Sequence, residues 1–287
     1  MYNARIENYN GEVLLLTNDE ASYQIIGIQG LNPPKAQINT TSIVGLDGSM
    51  FNSSKLDTRN IVITIRLNGD VEGNRIKLYD YFVVKEKCVF YYTNGRRNVK
   101  IEGYVDNVEC DLFTDNEIAQ ISIICPDPYF KSVSEIVADI SNTLALFTFP
   151  FSINLNEEIA FSLYEESRTA NVYNNSDGST GAVIEALCIN GISSIRIQNT
   201  RTGEFFKLDY NFQADDLIII NTNKGNKSAV LRRGTAELNL FSTIVQGSTF
   251  FQLGAGNNQF SCITTGGLSD TENVKVKFIF KNSYRGV

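Results

Sequence analysis

The chain has 287 residues, 43% hydrophobic and 20% charged, with 32 acidic against 25 basic side chains. That length allows two ordinary domains or one large β unit, and the composition is that of a soluble folded chain rather than a disordered one. The net charge of −7 argues against a protein that gains affinity by neutralising phosphates, and the absence of histidine removes Ser-His-Asp and Cys-His nucleophiles and the commonest transition-metal ligand. An acidic wall past which nucleic acid slides is compatible with this charge; nucleic acid as a bound ligand is not expected. The five cysteines, Cys88, Cys110, Cys125, Cys188 and Cys262, are odd in number and lack a Cys-x-x-Cys spacing. They read as buried free thiols, not as a disulfide framework or a zinc site. The longest apolar run, residues 144–153, is broken by Thr148 and Pro150, so no membrane span is expected. Residues 1–7 lack the basic segment and apolar core of a secretory signal, which places synthesis and folding in a cytoplasm.

Along the chain, strand signals dominate. The first falls at residues 23–28 and is followed by a polar, turn-rich stretch at 45–59 with no obvious secondary structure of its own. Ile61, Ile63, Ile65 and Leu67 then share one face and Val62, Thr64 and Arg66 the other, the period of a half-buried strand. From Asn74 to Lys87 the apolar positions Ile76, Tyr79, Phe82 and Val83 recur three or four apart, with Asn74 or Asp70 available as a cap. This predicts one helix of about three turns that lays that face on the sheet. Strands at 99–105 and 118–125 complete the first domain, and Pro126 and Pro128, which cannot donate to a ladder, end it. Residues 132–142 read as a short helix or linker, so the expected domains are 1–135 and 136–287. A second strand-rich unit starts near Leu144 with Phe147-Thr148-Phe149-Pro150-Phe151. Its strands are expected at 182–190, 194–199, 205–210, 217–221 and 236–241, and at the alternating Val274, Val276, Phe278 and Phe280. Turn clusters such as Thr93-Asn94-Gly95 and Asn175-Ser176-Asp177-Gly178 separate these strands. The fold class is mainly β, of the barrel or sandwich type.

Catalytic patterns are missing. The acidic pairs Glu157-Glu158, Glu165-Glu166 and Asp215-Asp216 are adjacent, and neighbours in a strand point to opposite faces rather than across a cleft. Asp47-Gly48-Ser49 and Asp177-Gly178-Ser179 lack the spaced acidic ligands of a calcium loop and read as turns. Gly254-Ala255-Gly256-Asn257-Asn258 has no following lysine and runs into a strand, so it is no phosphate loop. Arg96-Arg97 and Arg232-Arg233 fit exposed hairpin tips. Phe205-Phe206, Tyr210 and Phe212 fit core packing better than a sugar platform, and the chain has no tryptophan. No catalytic, cofactor or metal residues are assigned, and an enzyme is not expected.

Three groups of residues, in this order, resemble the phage distal tail proteins (the Dit family). The first is Gly45-Leu46-Asp47-Gly48-Ser49-Met50-Phe51-Asn52-Ser53-Ser54, then Arg59-Asn60-Ile61-Val62-Ile63-Thr64-Ile65-Arg66-Leu67, Leu78-Tyr79-Asp80-Tyr81-Phe82 and Cys125-Pro126-Asp127-Pro128-Tyr129-Phe130. The second is Asn174-Asn175-Ser176-Asp177-Gly178-Ser179-Thr180-Gly181 with Val183-Ile184-Glu185 and the strand at 195–204. The third is Leu253-Gly254-Ala255-Gly256-Asn257-Asn258-Gln259-Phe260 and the ending Tyr284-Arg285-Gly286-Val287.

The resemblance implies an N-terminal β-barrel or sandwich-like ring-forming domain with one helix, and a C-terminal galectin-like β-sandwich. It implies a structural hub of the tail tip or baseplate, a homo-oligomer ring of six copies, with no cofactor. The implied partners are the major tail tube protein, the tail-associated hub or lysin protein and receptor-binding proteins. The implied place is the virion tail tip, after assembly in the bacterial host cytoplasm. An equivalent hub in a phage-tail-like bacteriocin or contractile tail, or a non-catalytic cell-wall carbohydrate-binding module, are the alternative readings. Because a long stretch without secondary structure suggests function, Asp47, Gly48, Asn52, Lys55 and Arg59 are the expected oligomer-interface residues, a plain solvent loop being the alternative.

Overall fold

A computed structural model of the chain describes residues 3–16, 22–45, 47–111, 117–139, 169–264 and 273–287, with the backbone alone at 143–145 and 162–164. It divides into two compact units, Met1–Val133 together with Ser283–Val287, and Ser134–Asn282. The first carries strands β1 (Asn3–Glu7), β2 (Val13–Leu16), β3 (Tyr23–Gln29), β4 (Ala36–Thr41), β5 (Met50–Leu56) and β6 (Arg59–Leu67), then helix α1 (Val71–Tyr81). It continues with β7 (Lys87–Thr93), β8 (Asn98–Cys110), β9 (Ile118–Cys125) and β10 (Phe130–Ser132). The second carries β11 (Ile136–Asp139), β12 (Thr143–Ala145), β13 (Ser162–Tyr164), β14 (Ala170–Asn174), β15 (Ala182–Cys188), β16 (Ile192–Asn199) and β17 (Phe205–Phe212). Then come β18 (Leu217–Asn221), β19 (Ser228–Arg233), β20 (Ala236–Asn239), β21 (Gly256–Thr264) and β22 (Val274–Phe280), and a short β23 (Ser283–Tyr284) that belongs to the first unit.

In unit 1 the large antiparallel sheet runs in the order β2-β1-β7-β8-β9-β6-β3, with β10 paired to β8 and β23 to β10, and β4 and β5 form a separate pair. Strand β8 is the corner. Its first half pairs with β7 and its second with β9, and a bulge between Val105 and Asn107 turns it. The sheet ends at β2 and β3, which do not pair with each other, so the domain is sandwich-like and no barrel closes. Ile61, Ile63, Ile65 and Leu67 are all buried, as their period of two requires. Each such side chain contributes roughly 1.5–3 kcal/mol on burial.

The helix is present, but its bounds and its buried face differ from the expectation. It starts at Val71, with Asp70 Oδ1 accepting from the Gly73 N–H at 3.2 Å, and it ends at Tyr81. Leu78 and the polar Asn74 are the buried residues of the helix and Phe82, just past its end, is buried as expected, while Ile76, Tyr79 and Val83 are exposed. The reason is hydrogen bonding: Asn74 Nδ2 donates to the Asn68 carbonyl at 2.8 Å, and the Tyr23 hydroxyl donates to the Asn74 carbonyl. Tyr81 fixes the other end, its hydroxyl accepting from Leu14 N–H and lying 2.7 Å from the Ile6 carbonyl. Burial pushes the Tyr81 phenol up to about 12.

Unit 2 is a β-sandwich. A six-stranded sheet, β11-β22-β15-β18-β19-β20, and a four-stranded sheet, β14-β21-β16-β17, enclose one apolar core. Phe251, Phe260 and Phe278 form its centre, with ring centroids 5.1 and 4.6 Å apart. Residues 136–139 are strand β11, in place of the expected short helix or linker, because pairing with β22 supplies its backbone partners. The expected strand start at Phe147-Thr148-Phe149-Pro150-Phe151 lies outside the described residues. The open side of β17 is covered by the chain after it, Val245 N–H donating to Lys207 O and Thr249 N–H to Phe205 O.

Four thiols, Cys88, Cys125, Cys188 and Cys262, are buried, and burial pushes each up to about 12; Cys110 is only half-buried. A thiol-selective reagent at about pH 8 is therefore expected to label Cys110 alone in the native chain and all five cysteines after unfolding. The thiols' contribution to stability is expected to be full below about pH 8.5, the ordinary thiol value, because both states then hold the protons. Above it the unfolded chain releases protons that the folded chain keeps, so urea midpoints should fall progressively as pH rises towards 12. Rapid labelling of more than one native thiol would contradict the burial.

Candidate functional site

The polar stretch at 45–59 is not a loop. Met50–Leu56 is strand β5, paired with β4 in an antiparallel ribbon whose register runs from Ala36↔Leu56 to Thr41↔Met50, with an irregularity between Asn39 and Thr40. Asn39 Nδ2 donates to Ser53 Oγ at 3.0 Å and Asn52 Nδ2 to Thr41 Oγ1 at 2.6 Å, so side chains tie the two strands from outside the ladder. At the tip Gly45 and Gly48 have φ of +85° and +88°, values that glycine adopts without strain.

Among the described residues the ribbon stands open to solvent. Every residue of β4 is exposed, as is every residue of β5 except the half-buried Leu56. The exposed side chains are not all polar: Ile38 is 63% and Phe51 62% exposed, and Ile43, Val44 and Met50 are exposed beside them. Each strand pairs with the other alone, which leaves a row of unpaired backbone groups on both edges. A two-stranded ribbon without a packed face is at best marginally stable by itself in water.

Of the residues expected at an interface, Asp47 and Gly48 stand at the exposed tip and Asn52 and Lys55 on the exposed β5. Arg59 does not join them, and the expectation for it is corrected. Its side chain is 3% exposed, with Nε donating to Pro128 O at 2.8 Å and Nη1 to the carbonyls of Gly30 and Asn32. Nη2 donates to Arg285 O at 2.6 Å, and the guanidinium lies 4.5 Å from the Phe130 ring centroid. Four of its five N–H donors are spent on internal carbonyls, and its burial keeps it from a neighbour's surface. Gly30 allows this geometry because its φ is +85° and a Cβ there would fall 2.2 Å from Asn60 O.

The other sequence candidates are structural. Asp216 is fully buried and paired with Arg233 by two hydrogen bonds of 2.6 and 2.7 Å, and this pairing holds the carboxyl below its usual range. Its Oδ2 also accepts from Gln213 N–H, so the pair closes the turn before β18. The Gly254–Asn258 turn is clamped from inside. Asn258 Oδ1 accepts from Gly254 N–H at 2.9 Å, and Asn174 Nδ2 donates to the carbonyls of Leu253 and Gly254. Phe206 and Phe212 are in the core, and Phe205 lies under the Arg196 guanidinium at 4.1 Å. Among the described residues no three cysteine or acidic side chains converge on a possible metal position, and no helix is long and apolar enough to cross a membrane.

Residues 175–284 match the family described as siphovirus-type tail component, C-terminal domain. The whole chain superposes on the Dit protein of phage SPP1, described as a hub of the adsorption apparatus of phages infecting Gram-positive bacteria. The TM-score is 0.72, at 12% identity and with 99% of both chains covered. Two structures of the phage P2 baseplate, in its activated conformation with calcium and with strontium, match at TM-score 0.53 and 13% identity over 100% of both chains. No curated protein sequence matches significantly. In fold the chain is similar to that Dit protein, with a galectin-like second unit. The family match falls almost entirely within the second unit.

Proposed function

We propose that this chain is the structural hub of a phage tail tip or baseplate. Copies of it close into a ring, six in number, between the tail tube and the tip proteins. The ring's contacts are made in part by the β4–β5 ribbon, with Asp47, Gly48, Asn52 and Lys55 among the contacting residues. The observation that carries this reading is the ribbon itself: open on both edges, apolar at Ile38 and Phe51, and open to solvent among the described residues. A ribbon of this kind reaching onto the next copy makes a heterologous contact, the type that closes into a ring when its rotation divides a full turn. Such a contact needs on the order of 1,000 Å² to persist. The major tube protein on one side, and a tail-associated hub or lysin protein and receptor-binding proteins on the other, are the proposed partners. The proposed place is the virion tail tip, after assembly in the host cytoplasm. The role is mechanical, not catalytic.

Light scattering on the eluting peak of a sizing column, over a range of loading concentrations, tests the ring. The expected mass is near six times 32.0 kDa. A monomer at every concentration, with the purified tube protein added as well as without it, would overturn the reading.

A further inference from the structure

Residues 283–287 follow unit 2 in the chain and yet belong to unit 1. They lie in a cleft that unit 1 supplies from four separate places. Ser283 and Tyr284 pair with Lys131 and Phe130 of β10, and Lys131 Nζ donates to Ser283 Oγ at 2.8 Å. Arg59 donates to Arg285 O at 2.6 Å, and Arg97 donates to Gly286 O while its guanidinium lies 4.3 Å from the Tyr284 ring centroid. Val287 N–H donates to Leu31 O at 3.2 Å, and the Tyr284 and Val287 side chains pack on the unit 1 core. The fit is close. A Cβ on Gly286 would sit 3.1 Å from Pro33 Cδ and 3.2 Å from Leu31 O.

Capture here is mostly of backbone: a short ladder and two arginines on two successive carbonyls. It uses groups that unit 1 cannot satisfy by itself in the same way. Arg59 is buried, and one of its four carbonyl partners comes from this segment. The outer edge of β10 has β23 as its partner. A buried donor or acceptor left without its partner is destabilising, and several would lose theirs together.

We propose that residues 283–287 are a completion latch: the cleft of unit 1 takes this extended peptide, and unit 1 becomes a rigid, assembly-competent body only once it is seated. Because the segment is synthesised after unit 2, a chain interrupted before it carries a loosened unit 1 and is kept out of the assembly. The assembly half of this inference rests on the ring reading above; the loosening of unit 1 does not.

The test compares the full chain with one ending at Asn282, by hydrogen exchange resolved to peptides. Removal of the segment is expected to raise exchange by about tenfold or more in β6, β9 and β10 while β15, β18 and β22 keep their protection. A synthetic peptide of residues 281–287 added in excess is expected to restore that protection, and to restore the full-chain mass by light scattering. Gly286→Val in the full chain, which keeps every residue but crowds Pro33, is expected to raise exchange in the same unit 1 strands to a smaller extent. Unchanged protection of unit 1 in the truncated chain, equal loss in both units, or no rescue by the peptide would each overturn the latch. A full chain that is monomeric throughout would count against the ring alone, since the exchange measurement still decides whether the latch exists.

Discussion

Replacing Arg59 by alanine is expected to lower the stability of unit 1 by about 3–5 kcal/mol, the range for breaking a buried charged network. The substitution strips the donor from the carbonyls of Gly30, Asn32, Pro128 and Arg285, and removes the cation from the face of Phe130. Charged hydrogen bonds contribute about 1.5–3 kcal/mol each, so a simple sum over four would rival the whole stability of a typical domain. Water entering the vacated space offsets part of that, which brings the expected loss down to the stated range. Burial pulls the guanidinium below its ordinary pKa, but arginine starts so high that it stays charged at neutral pH. Arg59→Lys keeps the charge and loses the planar fork. A single ammonium cannot reach carbonyls contributed from four parts of the chain, and at least half of the loss is expected to remain. With no tryptophan in the chain, urea unfolding is best followed by circular dichroism, alongside hydrogen exchange to separate the two units. A loss below about 1 kcal/mol would mean that water serves these carbonyls as well as the arginine does.

Arg59 also marks the limit of what could be read from the sequence. The strand it opens was legible because Ile61, Ile63, Ile65 and Leu67 all face one core, and β9 and β18 emerged with the expected bounds for a related reason: their apolar runs are buried. What decides Arg59 is the convergence of Gly30, Asn32, Pro128 and Arg285, between 27 and 226 positions away along the chain. No local pattern encodes that convergence. The helix shows the same limit on a smaller scale. Its existence followed from the apolar spacing, but its buried face is set by Asn74, a polar residue satisfied by the Asn68 carbonyl, and apolar periodicity cannot see a buried amide. The return of Ser283–Val287 to unit 1 is equally silent locally, although Tyr284-Arg285-Gly286-Val287 stood out as a motif before its place was known.

The ribbon was missed for the opposite reason. Met-Phe-Asn-Ser-Ser-Lys-Leu alternates for no core, because both faces of β5 are exposed, so the period of two that reveals a strand never develops. Its signal was compositional: two exposed large apolar residues in a polar, glycine-punctuated stretch. Asp47, Gly48, Asn52 and Lys55 were candidates for another reason, the length of the stretch without obvious secondary structure, and they lie at the tip and on β5.

Changing Ile38→Asp and Phe51→Asp together is expected to convert the assembled protein to monomer while leaving the fold of each unit unaltered. Both side chains are more than 60% exposed in the isolated chain, so folding stability should move by no more than about 0.5 kcal/mol. In a ring the same residues would lie against the neighbouring copy, and a carboxylate forced into an apolar contact costs several kcal/mol. Cyclic symmetry places the penalty at every contact at once, so a ring held by about 1,000 Å² per interface should not survive two such charges. Light scattering and urea unfolding on the same sample separate the two effects: a mass near 32.0 kDa with an unchanged midpoint is the expected pair of results. Leu238→Asp serves as the control. It places a like charge on an exposed apolar residue of β20 in unit 2, and the assembled mass is expected to persist. If the double variant keeps the assembled mass, the contacts between copies lie elsewhere and the ribbon must be assigned to a different partner. If Leu238→Asp breaks the assembly as well, net charge rather than the ribbon controls association.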